Sequence, residues 1–137
     1  MQHKYIFLYY WKSILVVAVI CYLSFASPST FNGIPAFENE DKLIHLLMYG
    51  GLTGVLMFDF RQYARYNQTT VITFILICLA LPVFLGGAVE IIQPTFFPPR
   101  TADWMDWFSD NTGVLCGWFF MSLITRKIFK RKIKDDN

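Results

Sequence analysis

The chain has 137 residues, 55% of them hydrophobic and 16% charged, with a formal net charge of +2 and a mean hydropathy of +0.40. That composition excludes an ordinary soluble domain and is typical of a membrane protein.

Four apolar runs follow one another, at 5–26, 43–58, 70–92 and about 111–125. A spanning helix needs about 20 apolar residues, or slightly fewer with anchors at its ends, so each run reads as a span. The expected fold is all-α: one integral membrane domain over 1–137, a compact bundle of four transmembrane helices, with a basic tail at 126–137.

The first run is preceded by MQHK and leads into SFASPS, a small-residue stretch of the kind found at secretory cleavage sites. Lys12 interrupts it and the segment is long for a signal core, so it reads as a retained helix. Lys4 and Lys12 belong with Arg61, Arg65 and the six cations of the tail segment RKIFKRKIK. Together they place ten of the twelve Lys and Arg residues on the side of the termini. Lys42 and Arg100 fall on the other side, with Glu38, Glu40, Asp41, Glu90, Asp103, Asp106 and Asp110. The positive-inside rule then makes both termini cytoplasmic and the acidic connections outward-facing. The tail suits a helix C-terminus and an anionic leaflet. No nucleic-acid-binding motif accompanies its charges, so the lipid bilayer is the expected partner.

In the second run Asp41, His45 and Tyr49 stand at i, i+4 and i+8, on one helical face. They form a polar stripe running inward from the outer interface. Gly50 and Gly54 follow at a spacing that lets helices approach closely. In the third run Pro82 removes a backbone donor and is expected to kink the helix, with Gly86 and Gly87 as packing positions. That run ends on Glu90 and Gln93, again one face. Because successive spans are antiparallel, this end lies level with His45.

The connection PTFFPPRTADWMDWFSDN is stiffened by its prolines. Arg100, Asp103, Asp106 and Asp110 then recur at spacings of three, three and four. Trp104, Met105, Trp107 and Phe108 fill the positions between. The segment reads as a short interfacial helix between the third and fourth spans, its aromatics at headgroup level and its carboxylates toward the bundle. Asp110 and Asn111 are placed to cap the fourth helix. Gly113 and Gly117 repeat the close-packing spacing there. Cys21, Cys78 and Cys116 each lie inside a run and read as small apolar filler.

These residues, D41-K42-x-x-H45-x-x-x-Y49, E90-x-x-Q93, R100-x-x-D103-x-x-D106 and G113-x-x-x-G117, resemble the VanZ-like membrane protein family in order and spacing over roughly 31–117. That pattern commonly has an asparagine three residues before the first glycine; here the position is Asp110, with Asn111 beside it. The resemblance implies a multi-pass protein of the bacterial cytoplasmic (inner) membrane with a cell-envelope context, linked through the family's name to teicoplanin sensitivity and glycopeptide antibiotic resistance. It implies no reaction.

The chemistry of the residues must therefore define the site. Ionisable groups in a span cost a few kcal/mol and mark sites or pathways. Glu90, Asp103 and Asp106 outnumber Arg100, even with Lys42 added, so a proton, cation or cationic ligand group is needed to balance them. The plain alternative is an ion network in which Arg100 pins the loop, with Asp41 serving a helix N-terminus.

Three functions compete. In a binding module for an envelope amphiphile, such as a lipid-linked precursor or a lipid headgroup, Arg100 and Lys42 would meet a phosphate or carboxylate. Asp41, Tyr49, Gln93, Asp110 and Asn111 would complete the ligand contacts. In an enzyme on a lipid-linked substrate, His45 or Glu90 would be the general base and Arg100 would stabilise developing negative charge, with Asp103 and Asp106 in the same catalytic set. A metal-assisted hydrolase or transferase would hold its cation on His45, Glu90 and Asp103 or Asp106. The third function is a structural membrane partner without a ligand. With no HExxH or phosphate loop present, no cofactor is assigned and the amphiphile-binding or modifying reading ranks first.

Overall fold

The computed structural model describes residues 6–26, 39–98 and 101–135, with side chains described as far as 125. Among the described residues the regular structure is entirely helical. It comprises α1 (Ile6–Phe25), α2 (Glu40–Ala64), α3 (Val71–Phe96) and α4 (Trp104–Asp135). Helices α1, α2 and α3 are long and apolar enough to cross a membrane. Their outward faces carry the large side chains Phe7, Leu8, Ile72, Phe84 and Ile91. A soluble protein would bury such continuous apolar faces, whereas lipid solvates them.

The apolar runs located the helices but understated three of them. Helix α2 reaches three residues before 43 and six beyond 58, through Asp59, Arg61 and Gln62, because helix propensity continues where hydropathy stops. Helix α3 carries past Ile92 and keeps Pro94 inside it. The expected short interfacial helix is not a separate element. Trp104 opens a single helix of 32 residues, about 48 Å long, since no proline follows Asp103 to break it. Pro82 lies just after a widened π-type turn at Leu76–Ala80. The proline has no N–H for the carbonyl four residues back, and the wider turn relieves its clash there.

Helix α2 is central, with 44% of its apolar window buried against 11% for α1 and 17% for α3. Its Tyr49, Leu52, Leu56, Met57 and Phe60 pack with Ile20 of α1, Cys78 of α3 and Val114 of α4. The order of contacts sets the directions. Lys42 meets Asp103 and His45 meets Asp110, so α2 and α4 run parallel. Trp107 meets Val83 while Asp103 meets Glu90, so α3 and α4 are antiparallel. Tyr9 meets Tyr63 while Ser13 meets Asp59, so α1 and α2 are antiparallel.

The α2–α4 seam closes on glycine. A Cβ at Gly113 would strike the Leu46 carbonyl and one at Gly117 the Gly50 carbonyl, so neither position tolerates a side chain at this separation. Gly54, expected to pair with Gly50 in this packing, faces open space instead. It lines an apolar groove of about 320 Å³ with Gly51, Cys116 and Phe120.

Candidate functional site

The helix directions bring one end of α2, α3 and α4 together, and the acidic residues of all three converge there. Asp41 lies in the first turn of α2, where a carboxylate is favoured by the helix dipole. Lys42 beside it reaches across to α4, with Nζ 3.3 Å from Asp103 Oδ2 and 3.7 Å from Asp106 Oδ1. One turn deeper, His45 is 4% exposed. Its Nδ1 lies 2.8 Å from Asp110 Oδ1, and its Nε2 faces Asp41 Oδ1 at 4.0 Å. Tyr49, a further turn in, is fully buried with no hydrogen-bond partner for its hydroxyl.

From α3, the buried Glu90 accepts a hydrogen bond from the Asp103 backbone N–H, at 3.0 Å from Oε2. Asp103 caps α4: its Oδ1 accepts from the Met105 N–H at 2.8 Å. That N–H, followed by Lys42, holds the Asp103 carboxyl below the ordinary aspartate range, against the opposing effect of burial. Because α4 starts at Trp104, the cap falls to Asp103 rather than to Asp110 or Asn111. Asp110 is instead fully buried inside the helix. Gly86 makes room for it, since a Cβ there would come within 2.6 Å of Asp110 Oδ2.

Two expected members stand elsewhere. Gln93 turns to α1 and donates from Nε2 to the Ser24 carbonyl at 2.9 Å, tying α3 to the end of the first helix. Asn111 is half-buried, and its Oδ1 makes no hydrogen bond. Arg100 lies outside the described residues. Lys42, expected to assist Arg100 there, pairs with Asp103 and Asp106. The loop aromatics divide as well. Trp104, Met105 and Phe108 are exposed, whereas Trp107 turns inward and donates from Nε1 to the Val83 carbonyl at 3.2 Å.

Five carboxylates, of Asp41, Glu90, Asp103, Asp106 and Asp110, thus meet Lys42 and His45. Three of them leave a buried oxygen without a hydrogen bond: Glu90 Oε1, Asp106 Oδ1 and Asp110 Oδ2. A buried acceptor left unmade costs roughly 1–3 kcal/mol, and more when charged. Among the described residues the cluster thus holds more acid than base, and its open acceptors are chemically suited to protons, cations or hydroxyl and ammonium donors.

A second polar cluster, missed from the sequence, sits at the opposite end. Asp59 is fully buried and accepts from Lys12 Nζ at 3.1 Å, Ser13 N at 3.1 Å and Ser13 Oγ at 2.7 Å. Its signal was available, because Lys12 lies inside the first apolar run and the oppositely charged Asp59 directly follows the antiparallel second. From Asp41 to Asp59 is 18 residues of α2, about 27 Å, close to the ~30 Å thickness of a hydrocarbon core. The two clusters stand one at each edge of such a layer.

No family model, curated protein or solved structure matches this chain.

Proposed function

We propose that the chain is a multi-pass bacterial membrane protein whose acidic end binds the headgroup of a cell-envelope amphiphile on the outward side of the cytoplasmic membrane. The observation that carries this is the set of three buried carboxylate oxygens without hydrogen bonds, at the junction of three helices. A headgroup bearing hydroxyl or ammonium donors supplies what those oxygens lack, while Lys42 offers a cation to a phosphate or carboxylate. The exposed Trp104 and Phe108 set the depth at which such a headgroup meets its acyl chains. Helix α4 completes a four-span bundle in this reading, with both termini cytoplasmic. The spacing shared with the VanZ-like pattern supports membership of that family, and teicoplanin sensitivity is the corresponding phenotype to examine.

Native mass spectrometry of the full chain, released from nanodiscs of bacterial lipid extract, tests the site. The wild type is expected to retain a discrete lipid-derived adduct. Glu90→Gln and Asp103→Asn are expected to lose it at least tenfold while keeping the wild-type helix content. Equal retention by the wild type and both variants would remove the site from the reading and leave a structural ion network.

A further inference from the structure

The hydrogen bond at His45 divides the ring's two nitrogens between two tasks. With Nδ1–H donated to the fully buried Asp110 at 2.8 Å, the lone pair of the neutral ring is on Nε2, which faces Asp41. Asp41, His45 and Asp106 each bring one ligating atom to the same place, all within 4.8 Å of one another. Asp106 is 6% exposed and its Oδ1 has no hydrogen bond. We propose that Asp41, His45 and Asp106 bind one divalent transition-metal cation, with Asp110 as the positioning residue that fixes the tautomer and orientation of His45.

One imidazole and two carboxylates suit an ion such as Zn²⁺ or Mn²⁺ and leave further coordination positions open. Ligand atoms about 2.1 Å from a tetrahedral ion stand about 3.4 Å apart, so the three must draw in by an ångström or so. Asp41 has room to do this, because its side chain is 62% exposed and already meets that of Asp106. The carboxylate–histidine pair behind the ligand is the arrangement that metal sites use to orient imidazole. Lys42, at 3.7 Å from Asp106 Oδ1, competes for that oxygen and retains its closer partner Asp103 when displaced. The set differs from the grouping of His45, Glu90, Asp103 and Asp106 expected from spacing. Glu90 bonds the Asp103 backbone, and Asp103 is occupied as a helix cap. The open positions face the amphiphile site, and the cation would receive a phosphate oxygen there. That last step rests on the amphiphile reading.

Isothermal titration calorimetry of the full chain in detergent, with ZnCl₂ and MnCl₂ as probes, tests the cation site. One saturable site is expected for at least one ion. Asp41→Asn should weaken it at least tenfold with little change in thermal unfolding, because Asp41 is exposed and loses only its dipole interaction. His45→Gln should abolish it, and Asp110→Asn should weaken it by about 10- to 100-fold. Absence of saturable binding below about 1 mM of either ion, or wild-type affinity in Asp41→Asn, overturns the proposal. Nanodiscs containing dioleoyl phosphatidic acid separate the two readings. An adduct that rises several-fold with Zn²⁺ or Mn²⁺ over EDTA supports the phosphate step. An equal adduct under EDTA refutes that step and leaves amphiphile binding standing. No adduct in either condition counts against the amphiphile, while calorimetry still decides the cation.

Discussion

Asp59 and Asp110 are both fully buried aspartates in a bundle of apolar helices, and their surroundings give them different work. Asp59 accepts three hydrogen bonds, two of them from Ser13 and one from Lys12. Among the described residues it forms a structural pair with Lys12 and Ser13. Replacing it with alanine orphans the Ser13 donors and leaves the half-buried Lys12 without its counter-ion. The expected cost is on the order of 2–3 kcal/mol, less than for a fully buried pair because Lys12 keeps partial access to water. Ser13→Ala removes one neutral donor and should cost about 1 kcal/mol. Thermal unfolding in detergent, followed by tryptophan fluorescence, reads both. Equal, near-zero effects would mean that the Asp59 cluster does not hold α1 to α2. Asp110, by contrast, spends one oxygen on His45 and leaves the other without a hydrogen bond, which is why it belongs to the proposed site.

Helix pairing shows why a glycine's spacing and its function are separate matters. Gly50, Gly54, Gly113 and Gly117 all stand in small-xxx-small pairs, yet only three of them lie at the α2–α4 contact. The backbone carbonyls of Leu46 and Gly50 occupy the space that a Cβ at Gly113 or Gly117 would need, and backbone yields far less readily than a side chain. Gly113→Ala and Gly117→Ala should each cost about 2 kcal/mol or more by forcing the helices apart. Gly54→Ala, made into open space, should stay within about 0.5 kcal/mol of wild type. Unfolding midpoints of the three variants in one detergent give the comparison. A Gly54→Ala loss as large as that of Gly113→Ala would contradict this packing. The same closeness lowers the polar ends of α2 and α4 onto one another, so loosening the seam is expected to weaken the Lys42 and His45 contacts as well.

At the scale of the whole molecule, the two charged clusters bracket a layer of membrane thickness, with α2 as the measuring rod. Lys12 and Asp59 stand at one edge and Asp41 to Asp110 at the other. Arg61 and Arg65 stand at the first edge, and the proposed topology puts Lys4 and the basic tail on that same, cytoplasmic side. Single cysteines introduced at Asn137 and at Thr101, in a background lacking Cys21, Cys78 and Cys116, test that topology. A membrane-impermeant maleimide applied to intact cells is expected to label Thr101→Cys and to reach Asn137→Cys only after permeabilisation. The reverse pattern would invert the protein and put the acidic site inside.

The helical class and its approximate segments were legible in hydropathy, and the shared face of Asp41, His45 and Tyr49 in a 3.6-residue period, because both are local properties of a chain. Locality also explains the errors. A run of apolar residues marks where lipid or core is expected, not where backbone hydrogen bonding ends, so Asp59 was left outside a helix that contains it. Likewise Asp103 to Asp110 read as a separate short helix, because charge density changes at Asn111 while helix propensity does not. Pairings between helices depend on direction, depth and rotation about each axis, and spacing along one strand of sequence carries little of that. Contact across the bundle therefore turned Gln93 away to Ser24, set Lys42 beside Asp103 and Asp106, and seated Asp110 on His45 through the gap at Gly86.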